Sequence, residues 1–107
     1  MKTGIDLIAD ERKRQVEVEG YSEQHDSQHK TSEFIYAAIA YAEAANVEVS
    51  CREMGSNASN TVIMLNKNEL RQIFPWGDGF KPSTAIRDMV KAGALIAAAI
   101  DRLQMEE

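Results

Sequence analysis

The chain has 107 residues, of which 44% are hydrophobic and 27% charged, with a net charge of −5. That length is enough for one domain with its own core, and the composition excludes wholesale disorder. The negative charge argues against nucleic acid or an anionic membrane as the main partner, because both need a basic surface, though it leaves room for a local basic patch.

Cys51 is the lone cysteine, so no intrachain disulfide can form. The residues from Met1 to Asp6 carry no long apolar run and no cleavage site, which predicts no signal peptide. No 18-residue stretch is free of charge, so no spanning helix is expected. Together these features predict a cytoplasmic protein.

The first predicted helix runs over 5–18, with Asp6 and Asp10 near its start and Gly20 as a stop. At 100° per residue, Ile5, Ile8, Ala9 and Val16 share one face, and Asp10, Lys13, Arg14 and Glu17 lie opposite. Arg12 falls inside the apolar seam, with Gln15 and Glu19 beside it and Glu11 at its border. Either Arg12 reaches past the core edge to solvent or an acid, or Arg12, Gln15 and Glu19 line a polar pocket.

A polar stretch from Gly20 to Thr31 follows and holds both histidines, as His25-Asp26-x-x-His29. Histidines four apart share a face on a helix and can hold a metal, but this stretch has no helical apolar period. It reads either as a solvated loop or as a metal or catalytic site.

The second helix, 32–45, starts at Ser32 and Glu33 and is apolar nearly all round, as a buried central helix should be. One stripe holds Phe34, Ile35, Ala38, Ile39, Tyr41, Ala42 and Ala45, and the other side is small, with Ala37, Ala40 and Ala44. Beyond it, 47–51 alternates like a strand and 61–65 is a short apolar run. The two either pair as a small hairpin, or the first extends the second helix. A short helix over 66–74 ends at Pro75. Trp76 and Phe80 sit in the turn between Pro75 and Pro82, placed either to plug the core or to rim a pocket.

The last helix, 83–103, has Ser83 as its expected cap. Its longest apolar stripe, Ile86, Met89, Val90, Gly93, Ile96, Ala97, Ile100 and Leu103, is the expected core face. Arg87, Asp88, Lys91 and Arg102 lie opposite. Gly93 predicts a close neighbour, with the alanine side of the second helix as candidate. Leu95, bordered by Ala92 and Ala99, marks a second seam. That seam is either a homodimer contact or a groove covered by the middle segment.

Two stretches together resemble a group of small phage and prophage proteins. The first contains Glu11-Arg12-Lys13-Arg14-Gln15, Glu19-Gly20-Tyr21 and His25-Asp26, and the second contains Trp76, Lys81-Pro82 and the run from Arg87 to Leu103. The resemblance covers residues 8–45 and 76–103. It implies a viral or prophage origin more than a reaction. Ser27 stands where the group usually has a second aspartate, and Ala99 where it usually has a glutamate. If those acids bind a metal in the group, this chain has a weakened site.

A looser likeness, of architecture alone, is to the MazG-type all-α nucleotide pyrophosphohydrolases. Their magnesium site takes an E-x-x-E pair and an E-x-x-D pair on two helices. Here the E-x-x-D spacing occurs at Glu23 and Asp26, in the polar stretch, and no predicted helix carries E-x-x-E.

The expected architecture is a single, mainly α domain over 1–107. Three main helices pack around the second and third, a short helix caps one end, a small two-stranded hairpin is an option in the middle, and the chain forms a homodimer. Two function classes follow. The favoured one is a phage or prophage accessory protein that binds a host protein or a small anionic, nucleotide-like ligand without catalysis or cofactor, at Arg12, Gln15, His25, His29 and Trp76. The alternative is a nucleotide pyrophosphohydrolase using Mg or Mn, held by Glu11, Glu19, His25, Asp26, His29 and Glu33, with Arg12 on phosphate.

Overall fold

A computed structural model of the chain describes residues 1–18, 30–54 and 67–106. It is mainly helical, with no strand among the described residues. Among the described residues there are four α-helices, in chain order α1 Gly4–Glu17, α2 Thr31–Met54, α3 Lys67–Ile73 and α4 Ala85–Glu106, with a 3-10 turn at Gly77–Gly79 before α4. α2 packs along α4, α1 packs on α4, and α3 rests on α2.

The ends of α1 and α4 follow from side-chain chemistry. Thr3 caps α1, its hydroxyl accepting from the Asp6 N–H at 3.2 Å while the Asp6 carboxylate accepts from the Thr3 N–H at 3.1 Å. This reciprocal box satisfies two otherwise orphaned donors. At the start of α4, Thr84 rather than Ser83 supplies the hydroxyl, accepting from the Arg87 N–H at 3.2 Å.

Val47–Cys51, one of the two candidate strands, is helical and extends α2 to Met54. Side chains at helical spacing hold these turns: Asn46 donates to Glu43 at 2.9 Å, Ser50 to Asn46 at 3.2 Å and Arg52 to Glu48 at 2.8 Å. The other candidate strand, 61–65, lies outside the described residues.

The core sits between α2 and α4 and is built from small and aromatic residues. Phe34, Ala37, Ala40 and Tyr41 of α2 meet Ala92, Leu95, Ala98 and Ala99 of α4, closed by Leu70, Phe74 and Phe80. The alanines let the two helices approach closely, and the rings fill the space at their ends. The rings of Tyr41, Phe74 and Phe80 pack edge-on or tilted against one another with centroids 4.9–5.8 Å apart.

This packing corrects the expected inward faces of two helices. On α4 Val90 of the expected stripe is buried, but most of its large residues face out: Ile86 is 65% exposed, and Met89, Ile96, Ile100 and Leu103 are exposed with it. Leu95, on the seam read as a dimer contact or covered groove, is 2% exposed in the core with Leu70, Phe74 and Phe80, so the covered groove is the reading that holds. The small residues beside it win the interior because only they permit the α2–α4 approach. On α1, Ile5, Ala9 and Val16 are exposed while Glu11 and Gln15 are buried. Gly93 meets Ile8 of α1 rather than α2: a Cβ added there would lie 2.6 Å from Ile8 Cδ1.

Candidate functional site

Glu11, Arg14 and Gln15 are three and four residues apart, so one face of α1 presents all three. That face turns toward α4 and the turn before it. Glu11 is 2% exposed, and its carboxylate is the centre of a network. Arg14 donates to it twice, from Nε to Oε1 and from Nη2 to Oε2, both at 2.8 Å. Gln15 Nε2 donates to Oε2 at 3.2 Å, and Arg87 Nη2, from α4, donates to Oε1. Each carboxylate oxygen therefore takes two N–H donors. Burial pushes the Glu11 carboxyl up, but the hydrogen bonds and charges of Arg14 and Arg87 outweigh it and hold it below the usual carboxylate value.

The facing wall is the turn from Phe74 to Lys81. Trp76 packs edge-on against Phe34 and Phe74, with centroids 5.0 and 5.6 Å away. Gly77 takes φ 60°, a left-handed conformation that suits glycine. The Tyr41 hydroxyl clamps this turn to α2, donating to the Gly79 carbonyl at 3.4 Å and accepting from the Lys81 N–H at 3.1 Å. Lys91 of α4 closes the clamp: its Nζ donates to the Lys81 carbonyl at 3.0 Å and lies 5.1 Å from the centre of the Tyr41 ring. Burial lowers the Lys91 pKa, and the charge of nearby Arg87 adds to the effect. Asp88 is buried too, and burial raises its carboxyl although the Ser83 N–H donates to it at 2.8 Å.

Between these walls lies a pocket of about 260 Å³. Glu11, Arg14 and Gln15 line it from α1, Tyr41 from α2, and Lys91 and Leu95 from α4. Phe74, Trp76, Gly79 and Lys81 complete it. Arg14, Lys81 and Lys91 and one acid, Glu11, are thus among the residues that line the space, in a chain whose net charge is −5. Gln15 is 3% exposed, and its side-chain carbonyl oxygen has no hydrogen-bond partner among the described residues.

Of the residues expected at a ligand site, the structure brings Gln15 and Trp76 together here. Arg12 is half-buried but outside the pocket lining. His25 and His29 lie outside the described residues, as do Glu19, Asp26 and Ser27. Glu33 is away from the pocket, where its carboxylate accepts from the Lys30 N–H at the start of α2. Among the described residues no group of three or more His, Cys, Asp or Glu side chains is placed to hold a metal ion.

Arg14, Arg87 and Lys91 belong to sides expected to face solvent; Arg14 and Arg87 instead reach the buried Glu11, and Lys91 bonds the Lys81 carbonyl, while Asp10, Lys13 and Glu17 of the same side of α1 stay exposed. The available signal was the pair of motifs itself. Glu11, Arg14 and Gln15 from the first, and Trp76, Lys81, Arg87 and Lys91 from the second, are the residues that converge.

No family model, curated protein or solved structure matches the chain. Fold and site therefore define it: an α-helical domain with a small, cation-lined, aromatic-walled pocket, in which no described helix is long and apolar enough to cross a membrane.

Proposed function

We propose that the chain is a phage or prophage accessory protein of the host cytoplasm that binds a small anionic, nucleotide-like ligand in this pocket, without catalysis. The observation that carries the reading is the pocket lining. Arg14, Lys81 and Lys91 supply positive charge for a phosphoryl or carboxylate group, and Trp76 and Phe74 supply ring faces and edges for a planar body. At about 260 Å³ the space is just below the ~300–1,000 Å³ of drug-sized sites, which favours a mononucleotide over a dinucleotide.

Glu11 supports binding rather than hydrolysis. Four N–H donors already occupy its carboxylate, so it orients Arg14 and Gln15 instead of serving as a cation ligand or base. The metal-dependent pyrophosphohydrolase is the competing reading, and its acids lie largely outside the described residues. Calorimetric titration with nucleoside monophosphates, nucleosides and orthophosphate, followed by phosphate and pyrophosphate assays with Mg²⁺ or Mn²⁺, separates the two. Saturable nucleotide binding without turnover supports the proposal, and metal-dependent turnover replaces it.

The exposed stripe of α4 supports a homodimer. Ile86, Met89, Ile96, Ile100 and Leu103 share one exposed apolar face of α4, interrupted at Gly93 where Ile8 of α1 packs. No charge interrupts these positions, which span about 26 Å at 1.5 Å per residue. A second copy presents the same face, so a two-fold contact is self-complementary.

A further inference from the structure

The orientation of Gln15 gives this pocket a hydrogen-bond polarity. An amide has two ends, one that donates and one that accepts. Here Glu11 decides. Gln15 Nε2 donates to Glu11 Oε2 at 3.2 Å, and flipping the amide would set a carbonyl oxygen against a carboxylate oxygen. The neighbouring Arg14 and Arg87 keep that carboxylate ionised, so the flip stays unfavourable. The side-chain carbonyl of Gln15 is consequently fixed as an acceptor. It is buried and has no partner among the described residues, and Gln15 lines the cavity. A buried acceptor left without a donor is unfavourable. A ligand N–H would relieve it.

We infer that Gln15 is the specificity-determining residue of this pocket, and that it selects mononucleotides whose base edge presents an N–H donor. The inference rests on the anionic-ligand reading above and adds the chemistry of the ligand's other end. Arg14, Lys81 and Lys91 take the phosphate, the aromatic wall takes the ring, and the Gln15 carbonyl accepts from an exocyclic amine or a ring imide. A site built around a polar group rejects the analogue that lacks the matching partner, because the buried group is then left unpaired.

The test compares ligands that differ at that one group, using the full chain and isothermal titration. Adenosine monophosphate is set against purine riboside monophosphate, which lacks the amine. Uridine monophosphate is set against its N3-methyl form, which lacks the imide N–H. Orthophosphate and pyrophosphate form a third arm. The expected result is at least ten-fold tighter binding of the N–H-bearing member in one pair, and loss of that preference in Gln15→Met while the des-amino or methylated member still binds. Equal affinity within both pairs overturns the inference, and so does a preference that survives in Gln15→Met. The wild-type comparison alone decides the matter if the variant fails to fold. Binding of orthophosphate or pyrophosphate with no discrimination between bases removes the role of Gln15 and leaves the anion site standing. No binding by any of these compounds removes both.

Discussion

Glu11 of α1 and Arg87 of α4, 76 positions apart in sequence, are ion-paired across the packed helices. Arg14 holds the same carboxylate from within α1 at 2.8 Å. The pair fixes how α1 lies on α4 and turns Gln15 toward the pocket. Replacing Glu11 by Gln keeps the shape and removes the charge both arginines need. The two arginines keep about a third of their surface in water, so the cost is moderated, at about 1–3 kcal/mol by chemical denaturation at neutral pH.

The pH dependence of that variant has a definite sign. The folded-state pKa of Glu11 is lowered, so its stabilisation is present above the unfolded value and is lost as pH falls through the folded one. Stability of Glu11→Gln should therefore decline less than that of the unaltered chain between neutral pH and the acid side of the carboxylate range. Parallel denaturation curves across this range read the difference.

Asp88 titrates in the opposite sense. Its folded-state pKa is raised, so it favours folding below the unfolded value and loses that advantage as pH rises through the folded one. Asp88→Asn keeps an acceptor for the Ser83 N–H and removes a buried charge. The variant should be at least as stable as the parent at neutral pH and should lose stability more steeply on acidification. A shallower acid limb would contradict the assignment.

The helices themselves were legible in the sequence because their signals are local. Asp6 and the apolar period place α1, the nearly uncharged run after Glu33 places α2, and the run between two prolines and Leu103 places the turn and α4. On α2 the inward face was partly legible, since Phe34, Ala38, Tyr41 and Ala45 are buried as their stripe predicts, but on α1 and α4 rules of size and polarity put Ile86, Ile96 and Ile100 inside and Arg14, Arg87 and Lys91 outside. The α2–α4 approach needs alanines at the contact, and a buried carboxylate can be satisfied only by distant cations. The alanine side of α2 is visible in the sequence, but its partner face on α4 and the cations that reach Glu11 are not. Gln15 was singled out for its place beside Arg12 in the apolar seam, and Trp76 as an aromatic in the turn between two prolines. Lys81 and Lys91 follow theirs and were missed.

Gly93 and Ile8 are coupled. Alanine in a helix is favoured over glycine by about 1 kcal/mol, but a Cβ at position 93 would meet Ile8 Cδ1 at 2.6 Å and Cγ1 at 2.9 Å. Gly93→Ala alone should gain little or lose stability. In an Ile8→Ala background the same change should stabilise by about 1 kcal/mol. A double-mutant cycle measures the coupling directly.

The two seams of α4 predict opposite outcomes in sizing chromatography. Ile96→Asp, on the exposed stripe, should convert a dimer to a monomer with unchanged helix content. Leu95→Ala, at a buried position, should cost about 2–5 kcal/mol of stability through the cavity it leaves. A dimer that survives Ile96→Asp would place the contact elsewhere.

Trp76 is the only tryptophan in the chain and lines the pocket, so its fluorescence reports on the central claim without a label. The decisive measurement is a titration of that signal with nucleoside monophosphates, for the unaltered chain and for Lys91→Met. The account predicts a saturable change that competing pyrophosphate reverses and that weakens at least ten-fold in Lys91→Met. A signal that stays flat to millimolar nucleotide, or an identical response in Lys91→Met, would contradict it.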